Sequence, residues 1–366
     1  MAPKRIAILY SELAGYTLAC LKALKQIYHV ETLVIFWPPS QEAPYDFGQL
    51  EGIDHAYAKD QFSLEEITDI LTKFDPHLIK VSGWMDKDYL KLGRMFKNKG
   101  IPVVAGLDAP WTGSLKQVLF GMLAPAYLKR HITTFWVTGE RQAQFAKRFG
   151  YSGPDLKYGL YCCDWERFAS AYYMNTSRQE NAFLYVGRYV SVKGIRTLID
   201  AYREYRLKTD HPWKLYCAGT GDLKDEIESE RNVENVGFVQ PYDLPALMQK
   251  CRAFVLPSLF EPWGVVVQEA AAAGLPVICS DACGASAHLV QDGYNGYVFE
   301  AGNTRHLMKC LVRMSSLSEE EQSKMSEAGF ELSKQFRPSR WADTLMNMIN
   351  TGATPKKAAR NVSINR

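Results

Sequence analysis

Short apolar runs alternate with helical stretches along most of this chain, and that rhythm leaves few folds open. In the first half, Arg5 to Tyr10, Val30 to Phe36, His77 to Val81, Ile101 to Leu107 and Ile132 to Val137 read as strands. Helical patterns fill the gaps at Gly15 to Tyr28, Ser63 to Lys73, Lys87 to Lys99, from about Ser114, and Glu140 to Phe149. The stretch from Phe36 to Ser63 reads as a polar connection. Strands joined through helices run parallel, and the helices cover both faces of the sheet. Between Tyr151 and Glu180 the rhythm breaks into Gly, Pro, Asn, Ser and aromatic residues, and a second alternation starts at Ala182 and continues to about Leu311. The expectation is an α/β chain of two doubly wound parallel-sheet domains, at 1–165 and 180–335, with a late helix at about 338–350. Residues 351–366, small and polar with four basic side chains, read as a disordered tail.

Composition excludes several classes. A chain of 366 residues, 47% apolar and 23% charged, can bury two cores, and a net charge of +3 does not argue for nucleic acid. Charge is nevertheless uneven. Residues 40–75 carry 9 acidic and 2 basic side chains, whereas residues 84–148 carry 11 basic and 4 acidic ones. The 8 cysteines lack zinc-like spacing, and reduced, buried thiols are expected. Met1-Ala2-Pro3-Lys4-Arg5 runs straight into a strand without a signal-like apolar core, and no apolar run reaches membrane-spanning length. A cytoplasmic location is expected.

Chemistry concentrates near residue 260. Ala253-Phe254-Val255-Leu256-Pro257 reads as a buried strand ending at Ser258, and a helix is expected from about Gly264 to Gly274. Glu261 then lies on the strand-to-helix loop and Glu269 in the second turn of the helix. The unsatisfied N–H groups of such a helix start form a seat for phosphate. An anion seat flanked by two carboxylates suits a phosphorylated, hydroxyl-rich ligand such as a nucleotide sugar. A glycosidase also needs two carboxylates, but without a phosphate cradle beside them.

This segment, with its continuation Gly274-Leu275-Pro276-Val277 and Asp292-Gly293-Tyr294-Asn295-Gly296, resembles the donor-site signature of glycosyltransferase family 4. A second match is Val186-Gly187-Arg188-Tyr189-Val190-Ser191-Val192-Lys193-Gly194. The resemblance covers most of residues 181–300. It implies a GT-B fold, two Rossmann-like domains facing a central cleft, with the late helix crossing back onto the first domain. It implies a retaining, metal-independent transferase that uses a UDP- or GDP-linked sugar as co-substrate and needs no other cofactor. Arg188 and Lys193 would neutralise the departing diphosphate and Glu261 would hold donor-sugar hydroxyls; these three are the expected catalytic residues. Glu269 would bind the ribose, and backbone amides around Trp263, Gly264 and Val265 would meet the sugar and phosphates. Gly15, Gly187 and Gly219 are the remaining expected donor-binding positions. The acceptor implied is a sugar hydroxyl of a cell-surface glycan or glycolipid precursor.

Two positions depart from the family pattern. Asp108 stands where relatives often carry a His near the sugar; it is a candidate acceptor-side residue or a helix cap. His288 replaces a common Glu and reads as a structural hydrogen-bonder. The turn Ala218-Gly219-Thr220-Gly221 lacks the third glycine of a dinucleotide fingerprint, with Lys224 in its place. Asp86-Lys87-Asp88 matches a bare metal motif but precedes a helix, where Asp caps; no metal site is expected. The basic stretch 84–148, with Leu119, Met122 and Leu123 among its apolar residues, suits either ordinary amphipathic helices or peripheral contact with an anionic membrane. A nucleotide-sugar epimerase and a non-catalytic nucleotide-sugar binder remain alternatives.

Overall fold

The computed structural model describes residues 2–11, 13–38, 50–174 and 179–352. Its first sheet has seven parallel strands: β1 (Arg5–Tyr10), β2 (Glu31–Phe36), β3 (His55–Ala58), β4 (Leu78–Val81), β5 (Val103–Leu107), β6 (Thr134–Val137) and β7 (Leu156–Tyr158). They lie in the order β3-β2-β1-β4-β5-β6-β7. Helices α1 (Gly15–Tyr28), α2 (Leu64–Phe74), α3 (Lys87–Asn98), α4 (Leu115–His131) and α5 (Glu140–Arg148) connect them, and α6 (Trp165–Tyr173) leads out. Strands such as Ile6–Leu9 and Val103–Leu107 are buried along their length, as parallel strands covered on both faces must be.

The second sheet has six parallel strands: β8 (Ala182–Val186), β9 (Lys214–Ala218), β10 (Val233–Gly237), β11 (Ala253–Leu256), β12 (Val277–Ser280) and β13 (Gly296–Phe299). Their order is β10-β9-β8-β11-β12-β13. The helices are α7 (Ile195–Arg206), α8 (Lys224–Glu228), α9 (Leu244–Lys250), α10 (Val265–Ala272), α11 (Ser286–Leu289), α12 (Thr304–Ser315), α13 (Glu319–Ser333) and α14 (Pro338–Gly352). In each sheet the strand order reverses once, between β1 and β4 and between β8 and β11. Loops leaving the carboxyl ends at such a switch point splay apart and open a crevice for ligand.

One core runs through both halves. It takes in one face of the first sheet, including Ile8 and Tyr10, then Leu160 to Ala171 of the connection, the second sheet and α14. The joint is aromatic. Trp341 of α14 lies 4.9 Å from Trp136 of β6, and its indole N–H donates to the Leu160 carbonyl at 3.0 Å. A second cluster, from Ala7 and Leu9 to Phe149, covers the opposite face of the first sheet.

The two doubly wound sheets agree with the alternation read from sequence. Two strands escaped that reading. β3 lies inside the supposed polar connection, as an edge strand whose side chains are exposed or only half-buried. β7 has three residues, too few to show a period. Helix α14 extends to Gly352, and the rest of the expected tail lies outside the described residues.

Candidate active site in the cleft between the sheets

A cleft of about 1490 Å³ lies where the strand carboxyl ends of the two sheets face each other. Its C-terminal wall begins with the loop after β8. Gly187 and Arg188 lead into Lys193 at the end of a single 3₁₀ turn, and Gly194 follows with φ 71°. Gly194 has to be glycine: a Cβ there would stand 2.0 Å from the Pro257 carbonyl oxygen. That close approach holds the loop against the end of β11 and brings Lys193 beside Glu261. The Lys193 ammonium is ion-paired with Glu261 Oε2, and both side chains are largely buried.

Glu261 is fixed from behind. Its N–H donates to the Ala282 carbonyl at 3.3 Å, and its own carbonyl accepts from Gly284 N–H at 2.9 Å. Gly264, at φ 91°, then starts α10 with no side-chain cap and no acidic residue in the first turn. The N-terminal N–H groups of α10 are therefore left for the cleft, with the positive end of the helix dipole behind them. Helix α1, across the cleft, likewise begins at Gly15 without a side-chain cap or an acid in its first turn. Two bare helix starts line one crevice.

The floor carries groups whose ionisation is disturbed. Burial, and then the charge of Asp164, push the Glu269 carboxyl up to about 8. On the opposite wall, burial pushes the Lys80 ammonium down to about 7, and Asp108 is the anion that opposes the shift near neutrality. Asp108 follows β5, and its carboxylate accepts a hydrogen bond from the Tyr161 hydroxyl at 2.9 Å.

Residues 174–332 match the family model described as glycosyl transferases group 1. An uncharacterised glycosyltransferase of Methanocaldococcus jannaschii is 33% identical over 162 residues, 43% of this chain and 44% of that protein. O-antigen chain mannosyltransferase B of Escherichia coli is 32% identical over 106 residues, 27% of this chain and 28% of that one. The chain thus spans less than half the length of these curated relatives. Among solved structures, Anabaena HepE in complex with UDP superposes with a TM-score of 0.73 at 17% identity, covering 95% of this chain and 100% of HepE. Sucrose-phosphate synthase of Thermosynechococcus elongatus gives 0.70 at 17% identity, covering 95% and 98%. At that identity the likeness is one of fold. Residues 174–332 thus match a group 1 glycosyltransferase model, and the two-sheet chain has a GT-B fold.

The cleft lining brings together Gly15, Asp108, Gly187, Arg188, Lys193, Gly219, Glu261, Gly264, Val265 and Glu269. Trp263 is absent from that lining. Its indole is buried 5.5 Å from the His288 ring and 5.9 Å from Phe336, and its carbonyl is taken by Ala285 N–H. Its side chain wedges the loop before α10 against the interior. Gly219 is required sterically, since a Cβ there would lie 2.0 Å from the Gly187 carbonyl oxygen. Gly15 is not: a Cβ would meet only Pro241, at 3.9 Å.

Asp86 of the D-x-D sequence caps α3 through Asp88 and Tyr89 N–H groups and pairs with Lys59 at 2.7 Å. All 8 cysteines are buried and free. His288 accepts a hydrogen bond from Glu140 N–H at 3.0 Å, a bond between the two halves. Two residues of the site were missed. Gln142 donates through Nε2 to both the Asp108 carbonyl at 2.9 Å and the Pro262 carbonyl at 2.7 Å, tying the loops on the two walls together. It sits on a helix start that looks ordinary in sequence. Lys80 had a signal, a cation inside the apolar strand Leu78-Ile79-Lys80-Val81, which the strand assignment passed over.

Proposed function

We propose that the protein transfers a hexose-type sugar from a UDP- or GDP-linked donor to a sugar hydroxyl of a cell-surface glycan or glycolipid precursor, with retention of configuration and without a metal. The observation that carries this reading is the convergence of Arg188, Lys193, Glu261, Glu269 and the bare start of α10 on one wall of a single cleft. Diphosphate departure requires that its growing charge be stabilised, and two cations plus a helix dipole supply that stabilisation. Lys193 turns from Glu261 toward the diphosphate, and Glu261 then accepts hydrogen bonds from sugar hydroxyls. In a front-face displacement the bond from C1 to the diphosphate oxygen breaks as C1 bonds the acceptor oxygen, and the acceptor proton passes to the departing phosphate. Relatives named for hexosyl transfer lend support: the O-antigen mannosyltransferase, and poly(glycerol-phosphate) alpha-glucosyltransferase of Bacillus subtilis, 30% identical over 201 residues. HepE holding UDP and glucose supports a uridine donor.

A panel of UDP, GDP, ADP and their sugars, read by melting temperature, tests the donor assignment, because a ligand bound only by the native state raises that temperature. The reading fails if none of them shifts the transition.

We place the protein in the cytoplasm, with peripheral contact to anionic membrane through α4. No helix among the described residues is long and apolar enough to cross a membrane. Helix α4, however, turns Leu115, Leu119, Met122 and Leu123 outward, each more than half exposed, beside exposed Lys116, Lys129 and Arg130. Sedimentation with vesicles containing anionic lipid is expected for the wild type and not for Leu119→Asp. Equal behaviour of the two proteins would remove α4 from the proposal.

A further inference from the structure

Lys80 is the third residue of β4 and only 2% exposed. It pairs in register with Ile8 of β1 and Val104 of β5, and it lines the N-terminal wall of the cleft. Its Nζ lies 4.4 Å from the centre of the Tyr10 ring, and among the described residues it makes no ion pair or hydrogen bond. The titratable groups around it are Tyr10 at the end of β1, Cys20 on α1 and Asp108 after β5, with Tyr161 of the connection bound to Asp108. Burial pushes Tyr10, Cys20 and Tyr161 upward, so all three stay protonated and neutral. Asp108 is then the facing anion, and its carboxylate is held by the Tyr161 hydroxyl, outside ion-pair distance of Nζ.

A buried ammonium needs a paired anion or several acceptors, and one aromatic face offsets only a fraction of its desolvation. The lysine is one oxyanion short, and its open side is the cleft. We propose that Lys80 seats a carboxylate or phosphate oxygen of the acceptor, so that the acceptor is an acidic molecule. This rests on the transferase reading for the identity of the ligand. The wall decides which substrate: Arg188, Lys193 and α10 serve the opposite side, whereas Lys80 and Asp108 share this one. A base that takes the acceptor proton would need the neutral amine and gains nothing from the Tyr10 ring face. An anion seat needs the ammonium and does gain from it.

The two roles predict opposite pH behaviour. For a seat, anion affinity falls about tenfold per pH unit above the pKa of the free lysine; for a base, function rises over the same range. The experiment uses the full chain saturated with UDP, which fills the opposite phosphate seat, labelled with carbon-13 at the lysine ε positions. Inorganic phosphate, glucuronate and uncharged glucose are then added separately. The lysine resonance titrating near neutrality should move upward by about one pH unit or more with phosphate, glucuronate or both, and not with glucose. Response to phosphate alone assigns a phosphorylated acceptor, and response to glucuronate alone assigns an acidic sugar.

Lys80→Met, which removes an unpaired buried charge, should keep UDP affinity and lose the rise in melting temperature produced by the anion. The proposal is overturned if neither anion moves the titration, if Lys80→Met retains the full anion-induced rise, or if it weakens UDP binding about tenfold, which would assign Lys80 to the donor. Failure of UDP to bind would count against the transferase reading alone, because the lysine resonance still reports on both anions.

Discussion

Replacing Glu269 by Gln should stabilise the free protein in alkali while weakening its hold on a donor. The carboxyl rises from its ordinary 4.5 to about 8, through burial first and the charge of Asp164 second. That shift corresponds to about 5 kcal/mol against the ionised form. Because the carboxyl borders the open cleft, solvent screening trims the cost to roughly 2–3 kcal/mol. The folded pKa lies above the unfolded one, so the penalty is absent below about pH 4.5, grows with pH, and is complete above about 8. Wild type and Glu269→Gln should therefore melt together at pH 4.5, with the variant higher by several degrees at pH 8.5.

Donor binding carries the matching signature. If a ribose diol donates to the carboxylate, binding draws the pKa down and a proton leaves. At pH 7 a group with a pKa near 8 is about nine-tenths protonated, so about 0.9 proton should be released per nucleotide sugar. Calorimetry in buffers of different ionisation enthalpy reads that number directly, and a nucleotide sugar avoids the terminal phosphate titration of a free diphosphate. Glu269→Gln should release close to none and bind at least about tenfold more weakly. Equal proton release by both proteins, or parallel stability curves across pH, would refute this account of Glu269.

Two further expectations concern the same cleft. Lys193→Ala should lower turnover by about 10²–10³-fold, as loss of a transition-state donor does, measured by sugar transfer under saturating donor; full activity would remove Lys193 from the chemistry. His288 accepts the Glu140 N–H only when neutral, and burial holds its pKa below the ordinary 6.5, so this contribution is whole above that pH and is lost as pH falls. Melting curves of wild type and His288→Phe should thus converge between pH 7 and 5; parallel curves would count against it.

What could be read from sequence follows from what repeats. Parallel strands covered on both faces are apolar along their length, so β1, β2, β5, β8 and β11 stand out as runs. The edge strand β3 is half-exposed and does not. The loop between β11 and α10 was legible as a strand-loop-helix because Glu261, Gly264 and Glu269 lie close together in sequence and its backbone demands are local. The inward direction of the Trp263 indole was not legible, because it depends on His288 and Phe336, which are distant in sequence. Lys80 shows the opposite failure: its anomaly was local and visible, but only the packing of Tyr10, Cys20 and Asp108 around it reveals a cation without an anion.

Gln142 shows why neither domain specifies the site alone. It is completely buried, and its amide spans 120 residues of sequence to reach Pro262, one position after Glu261. The same nitrogen holds the Asp108 carbonyl. Arg141 beside it donates to the Asp281 carbonyl at 2.7 Å, and Gly139 packs so closely on Trp263 and His288 that a Cβ would clash with both. The start of α5 thus braces the loop before α10 from the other half of the molecule. Any rotation of the halves that breaks the Pro262 bond gives up a part-buried hydrogen bond, at about 0.5–1.5 kcal/mol. The separation of Asp108 from Glu261 is accordingly a property of the pair of domains, set by the Gln142 amide together with the Arg141, Glu140 and Gly139 contacts beside it.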